Sequence, residues 1–309
     1  MMNELTLIVT FLNEGAEVYK TIESFKNSTN VPFDIILIND GSTDGYDYRE
    51  IADCFDAEYV EHAVRKGTAS SRNEGVSLCS TKYFLLIDAH MRVYQEDWIS
   101  RIVHELDKEE NLLLCCSTLS LDQNGRVCNN VVGYGAFIDL PTLDAKWNHL
   151  EKEGEESFEI PCVLGASYAG HKRYWLYLKG LNGLESYGFE EQLISLKVWL
   201  SGGKCKVLKD VKFGHIFREE GKTPYTVSLS NYYLNQLMIV ELFYNEEYKR
   251  IFLRELRKKI DKEQVNAWVE EFGKCRQKLM EEKGYYNGIF CRDFDFIMQL
   301  NDKTKYIQE

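Results

Sequence analysis

The chain has 309 residues, enough to bury one large core or two smaller ones. It is 44% hydrophobic and 28% charged, ordinary for a globular protein, and its net charge of −12 speaks against nucleic acid as a partner. No apolar stretch approaches the roughly 18–20 residues that span a bilayer. The start, Met1-Met2-Asn3-Glu4, has neither the basic nor the apolar region of a signal peptide. A soluble protein without a transmembrane segment is expected, with peripheral membrane contact left open. Nine scattered cysteines without a CxxC pair, two of them adjacent in an apolar run (Cys115-Cys116), predict reduced thiols, no structural zinc and a cytoplasmic location.

The first third alternates cleanly between two periodicities. Leu5 to Phe11 is an apolar, β-branched run that predicts a buried strand. Val18, Ile22 and Phe25 share one face of a helix over 15–28. Phe33 to Asn39 predicts a second strand, stopped by the turn residues Asp40-Gly41-Ser42. A helix near 47–55, a short strand near 57–62, a helix over 67–79 and a strand over 82–87 follow. This βαβαβαβ series implies a mostly parallel sheet with right-handed crossovers.

The middle reads differently. Leu112 to Ser120 predicts a strand, and Asp122-Gln123-Asn124-Gly125 a hairpin turn. Residues 139–160, polar and carrying Trp147, read as a loop or short helix over the site. A strand over 161–169 and a helix over 189–200 come next, the helix stopped by Gly202-Gly203. Lys204 to Leu208 predicts one more strand. From 225 onward the spacing is helical, with a third tail helix over 262–282 and aromatics at Tyr285, Tyr286, Phe290, Phe294 and Phe296 that serve either as core or as sugar-stacking rings. The expected organisation is a catalytic domain over 1–224, with a nucleotide-binding half (1–92) and an acceptor half (93–224), and a helical appendage over 225–309.

Three separated segments carry chemistry: Thr10-Phe11-Leu12-Asn13-Glu14, Asp88-Ala89-His90 and Gly214-His215-Ile216-Phe217-Arg218. In an extended strand end, Asp-x-His aims a carboxylate and an imidazole to one side. That pair suits a divalent metal, and the imidazole tilts the choice toward Mn²⁺ over Mg²⁺. A metal at the carboxyl end of an α/β strand places a nucleotide beneath it. His215 is either the third ligand or an ordinary histidine. Asp40, at the end of the second strand, either reaches a nucleoside or caps its own turn. Arg65, Lys66, Gly67 and Arg72 flank a helix start, as phosphate contacts or as solvated charges. Glu190 and Glu191 open a helix, as acids favoured by its dipole or as a general base.

Together these segments resemble the GT-A glycosyltransferases, specifically family 2 enzymes and the catalytic domain of the polypeptide N-acetylgalactosaminyltransferases. The likeness covers about residues 5–225. It rests on Thr10-Phe11-x-Asn13-Glu14, Ile35 to Ile38 with Asp40, Arg65-x-Gly67 with Arg72, and Leu86-Ile87-Asp88-Ala89-His90, a DXD-like motif. It continues through Lys146-Trp147-Asn148, Gly188-x-Glu190 to Ser195, Trp199 with Gly202-Gly203, and Gly214 to Arg218. The resemblance implies a Rossmann-like sheet flanked by helices, with Thr10, Asp40 and Arg65 on a uridine and Asp88, His90 and His215 on Mn²⁺ or Mg²⁺. It implies Arg218 near the diphosphate, Gly165 and Ala166 under the donor sugar, and Glu190 facing sugar or acceptor. Asn13, Glu14, Gly67, Arg72 and Ala89 complete the implied nucleotide-sugar contacts.

Departures sharpen the expectation. Those transferases carry a membrane anchor and a C-terminal β-trefoil, which the helical tail does not match. Glu191 falls where the retaining enzymes have Asn and inverting family 2 enzymes have a catalytic Asp. The expected function is therefore metal-dependent transfer of a sugar from a UDP-sugar to a hydroxyl of a glycan, lipid-linked or peptide acceptor, with inversion and Glu191 as base. The alternatives are a retaining transferase acting on a peptide, a sugar nucleotidyltransferase, for which Asn13-Glu14-Gly15 is a poor phosphate loop, and a non-catalytic nucleotide-sugar binder.

Overall fold

Side chains of a strand alternate between the faces of its sheet, and in the first third of this chain both sets are apolar. A computed structural model describes residues 3–164, 166–218, 223–274 and 276–308. It begins with β1 (Leu5–Phe11), α1 (Glu17–Asn27), β2 (Asp34–Asn39), α2 (Tyr48–Phe55), β3 (Glu58–Glu61), α3 (Thr68–Leu78) and β4 (Tyr83–Asp88). β1 pairs in parallel with β2 and β4, and β2 with β3. Ile8, Ile36, Ile38, Phe84 and Leu86 join one buried cluster, whereas Leu7, Val9, Ile35, Leu37, Leu85 and Ile87 join another. Helices therefore cover both faces, which is what uninterrupted apolar strands require.

The chain continues with β5 (Met91–Val93), α4 (Trp98–Asp107), β6 (Leu112–Leu121), β7 (Val127–Gly133), β8 (Ala136–Asp139), β9 (Asp144–Trp147), β10 (Ser157–Glu159), β11 (Ser167–His171), α5 (Lys172–Tyr177), α6 (Glu190–Leu200) and β12 (Lys204–Ile216). These complete a ten-stranded sheet in the order β10-β12-β6-β11-β4-β1-β2-β3, with β5 added to β12 and β7 to β6. β11 runs antiparallel to both β4 and β6, and β6 is parallel to β12. The carboxyl ends of β1, β2, β4, β6 and β12 consequently share one edge, where α/β sheets bind ligands. The tail folds as α7 (Leu229–Phe243), α8 (Glu246–Lys259), α9 (Lys262–Lys274), α10 (Arg276–Ile289) and α11 (Phe294–Gln308). No helix among the described residues is long and apolar enough to cross a membrane.

Three expectations from periodicity are corrected. Residues 139–160 form no helix: 148–156 are loop, the first of the two expectations, but Ala136 to Asp139 pairs with Asp144 to Trp147 as a β-hairpin, and Ser157 to Glu159 pairs with β12. The strand expected to stop at Leu208 runs on to Ile216, because the register shift between Leu208 and Lys212 absorbs the polar Lys209-Asp210 interruption. The strand expected over 161–169 is displaced to β11, starting at Ser167. Of the tail aromatics, Tyr286 (1% exposed) and Phe294 (6%) are core, and Tyr285, Phe290 and Phe296 pack half-buried against it.

Lys197 of α6 is buried against that tail. Its Nζ donates to the Gly180 carbonyl at 2.7 Å and lies 5.0 Å from the Tyr286 ring centre. Burial pushes this ammonium down to about 7, against the pull of Glu282. The unfolded chain then binds more protons than the folded one between about pH 7 and the ordinary lysine value near 10.4. Its contribution to stability therefore rises with pH across that window and is flat below it. Denaturation midpoints should climb more steeply from pH 7 to 9 in the unmodified protein than in Lys197→Met; equal slopes would refute this assignment.

Candidate active site

The carboxyl ends of β1, β4 and β12 border a cleft of about 470 Å³. Thr10 lies in register with Asp88, the last residue of β4. His90 is not part of that strand. It sits in a two-residue joint before β5, so strand periodicity is not what joins it to Asp88. β5 pairs with β12, setting Met91 opposite His215, and the Ile216 N–H donates to the His90 carbonyl at 3.1 Å. This pairing brings His90 Nε2 to 3.1 Å from His215 Nε2, with Asp88 Oδ2 at 3.6 Å from the latter. One ligand atom from each of Asp88, His90 and His215 falls within 4.8 Å of the others.

Two imidazole nitrogens and a carboxylate oxygen facing one point fit a divalent transition ion, Mn²⁺ ahead of Mg²⁺. Burial pushes the His215 imidazole below its ordinary value despite Asp88, which favours the neutral form that binds metal. Burial would raise the Asp88 carboxyl, but the hydrogen bond to His215 and the charges of Arg72 and His90 outweigh it and hold the group well below the usual carboxylate range. Glu14 Oε2 sits 3.1 Å from His90 Nδ1 and pairs with Arg218. A carboxylate behind a ligating imidazole fixes ring orientation.

Arg72 links this cluster to the next. Its Nη2 donates to Asp88 Oδ1 at 3.0 Å, and its Nη1 donates to Glu191 Oε1 at 3.1 Å and Tyr168 Oη at 3.0 Å. The side chain is only 6% exposed. Despite burial, Tyr168, Glu191 and Asp88 hold the guanidinium above its ordinary value. Glu191 borders the cleft and is partly exposed. Glu190 is buried, and both its oxygens lie 3.0 Å from the Gly188 amide, which donates to them. Burial and then the charge of Glu191 push the Glu190 carboxyl up to about 7.

The remaining expected residues divide into two groups. Thr10, Glu14, Asp40, Arg65, Arg72, Ala89, Ala166 and Arg218 all border the cleft. Asp40 also organises its own loop, accepting from His62 Nδ1 and the Lys66 amide at 2.8 Å and the Gly67 amide at 2.9 Å. Arg65 donates to the Thr226 carbonyl at 2.9 Å and lies 5.1 Å from the Tyr225 ring centre. Asn13 and Gly67 act from behind the wall. Asn13 bridges the Thr43 amide and the Pro224 carbonyl. Gly67, at φ 94°, lies so close to Ser186 that a Cβ would stand 2.5 Å from its backbone. Gly165 falls outside the described residues.

Sequence reasoning did not single out His62, Tyr168, Tyr187, Tyr225 or Tyr232. Tyr187 adjoins Gly188-Phe189-Glu190, so adjacency was the available signal. Tyr225 and Tyr232 belong to a stretch whose spacing reads only as helix and core.

The model of the family described as Glycosyl transferase family 2 matches residues 6–164, more than half of the chain. Human polypeptide N-acetylgalactosaminyltransferase 14 is 24% identical over 260 residues, 80% of this chain and 47% of that protein. The putative polypeptide N-acetylgalactosaminyltransferase 13 of Drosophila melanogaster is 25% identical over 277 residues, 80% of this chain and 49% of that protein. The chain thus spans about half the length of the curated relatives it matches. The crystal structure of GalNAc-T7 with UDP, GalNAc and Mn²⁺ superposes with a TM-score of 0.76 at 20% identity, covering 96% of this chain and 56% of that one. S. aureus TarS 1–349 in complex with UDP-GlcNAc gives 0.56 at 16% identity, covering 82% and 71%. The shared fold is GT-A.

Removing the buried guanidinium that joins Asp88 to Glu191 leaves two partly buried carboxylates without their shared cation. Arg72→Ala should lose about 3–5 kcal/mol of unfolding free energy, read from denaturant titration. A loss of about 1 kcal/mol or less, the usual value of an exposed pair, would show that the network is solvent-screened.

Proposed function

Because the chain belongs to glycosyl transferase family 2, we propose that it transfers a sugar from a UDP-sugar to an acceptor hydroxyl. The observation that carries this is the convergence of Asp88, His90 and His215 beside the Glu190–Glu191 pair in one cleft. Thr10, Asp40 and Arg65 hold the nucleoside, and Arg218 serves the diphosphate. Asp88, His90 and His215 would hold Mn²⁺ or Mg²⁺, which when bound offsets negative charge on the leaving diphosphate. The acceptor is a glycan, a lipid-linked saccharide or a peptide. We place the catalytic domain at residues 1–224, with nucleotide and acceptor halves meeting near 92, and the helical region at 225–309. We place the protein in the cytoplasm, where thiols such as the adjacent buried Cys115 and Cys116 stay reduced.

In this mechanism Glu191 takes the proton of the acceptor hydroxyl as its oxygen bonds to the anomeric carbon. The carbon–oxygen bond to the diphosphate breaks, its electron pair leaves with UDP, and the anomeric centre inverts. Glu191 suits the role because it borders the cleft, while Arg72 fixes its position. Glu190, turned onto the Gly188 amide, faces the sugar and supports the wall. A second reading, retention at the anomeric carbon, is favoured by the likeness to polypeptide N-acetylgalactosaminyltransferases.

UDP should raise the melting temperature in a Mn²⁺-dependent manner, since a ligand of the folded state stabilises it, and His215→Ala should abolish the Mn²⁺-dependent part. No shift with UDP, GDP, CDP or dTDP would remove the nucleotide-sugar reading. Glu191→Gln should lower turnover by about 10²–10⁴-fold with UDP affinity kept. NMR of the product should show the anomeric configuration opposite to the donor's; the same configuration would establish the second reading instead.

A further inference from the structure

The cleft is finished by residues from the first tail helix. Asn235 of α7 is 1% exposed, and its Oδ1 accepts from the Glu185 amide at 2.9 Å. Its Nδ2 donates to the carbonyls of Glu185 at 3.0 Å and Gly188 at 3.2 Å. The turn so clamped carries left-handed backbone at Ser186 (φ 62°), Gly188 (φ 117°) and Phe189 (φ 72°). Such conformations at non-glycine residues persist only where the surroundings fix them. Glu190 and Glu191 follow directly, so α7 sets where both carboxylates stand.

Nearly one helical turn before Asn235, Tyr232 lies against Phe189, with ring centres 4.6 Å apart. It fills the space beside Gly188, where a Cβ would stand 2.8 Å from Tyr232 Cδ2. The ring borders the cleft together with Ala145, Trp147, Glu190 and Gln192. α6 packs on β6 and β12, the opposite half of the sheet from β2 and Asp40. Tyr232, against Phe189 at the start of α6, therefore bounds the cleft beside Glu190, the carboxylate proposed to face the sugar. Burial, then Asp144, Tyr233 and Glu190, push its phenol up to about 12.

We infer that Tyr232 is a specificity-determining residue, the wall against which the transferred sugar ring and its substituents are sized. This rests on the reading of the cleft as a UDP-sugar site. Tyr232→Ala opens that wall, and Tyr232→Leu shortens it while keeping an apolar contact on Phe189. UDP affinity with Mn²⁺ would be measured by calorimetry. UDP release, with water as acceptor, would be compared for UDP-glucose, UDP-galactose and their N-acetylated counterparts.

UDP affinity should stay within about twofold, while the ratio of kcat/KM for N-acetylated over plain donors rises about tenfold, the size of effect a pocket contact supports. A ratio that moves less than about threefold, or falls, in a variant that still binds UDP overturns the inference. Loss of UDP binding in both variants overturns it too, since Tyr232 would then serve the fold and not the sugar. If the unmodified protein neither binds UDP nor releases it from any donor, the functional reading itself fails, and that result is distinct from the others.

Discussion

A single buried guanidinium ties the two chemical halves of the cleft together. Arg72 projects from the first turns of α3 and bonds Asp88 at the end of β4, Glu191 at the start of α6 and the Tyr168 hydroxyl on β11. Four elements from distant parts of the sequence are thereby held in one geometry. Arginine suits this place because its planar fork can serve several acceptors without losing its charge. The cation stands between two partly exposed carboxylates that face the cleft, Asp88 and Glu191. Without it, the Asp88 carboxyl would lose one of the charges that hold it well below the usual carboxylate range against burial.

Around that anchor, the fold acts mainly to bring strand ends together. The parallel β1, β2 and β4 deliver Thr10, Asp40 and Asp88 to one edge. The long β12, parallel to β6, delivers His215 and Arg218 to the same edge. β5 bridges the two groups by pairing with β12, and this short antiparallel contact, not the spacing of Asp88 and His90, sets the imidazoles facing each other. The loops that complete the wall are held by side chains bonded to backbone: Asn13 to Thr43 and Pro224, Asp40 to Lys66 and Gly67, Asn235 to Glu185 and Gly188.

The nucleotide-binding half was legible in the sequence because its signals are local. Apolar runs of strand length alternate with amphipathic helices, and turn residues mark the ends. Asp88, His90 and His215 were legible through their positions relative to such runs and through the resemblance. Elsewhere local signals conflict with tertiary pairing. Lys209-Asp210 reads as the end of a strand, yet a register shift carries β12 through it. Residues 139–160 look too polar for sheet, yet β8 and β9 pair, and Ala145 and Trp147 of β9 border the cleft. Tyr232 and Asn235 are indistinguishable by periodicity from other helix positions. Their roles come from what α7 packs against, and no single-sequence pattern encodes that.

The dependence of the metal cluster on β12 has a consequence for biosynthesis. His90 and His215 are 125 positions apart, so the third ligand leaves the ribosome long after the first two. The intervening loop must close before any ion can be gripped by all three, and loop closure of this kind is entropically unfavourable until packing offsets it. A chain ending before β12 carries Asp88 and His90 but lacks His215. On the proposed reading, a full set of three ligands would exist only once β12 has joined the sheet, so metal affinity would report closure of the sheet.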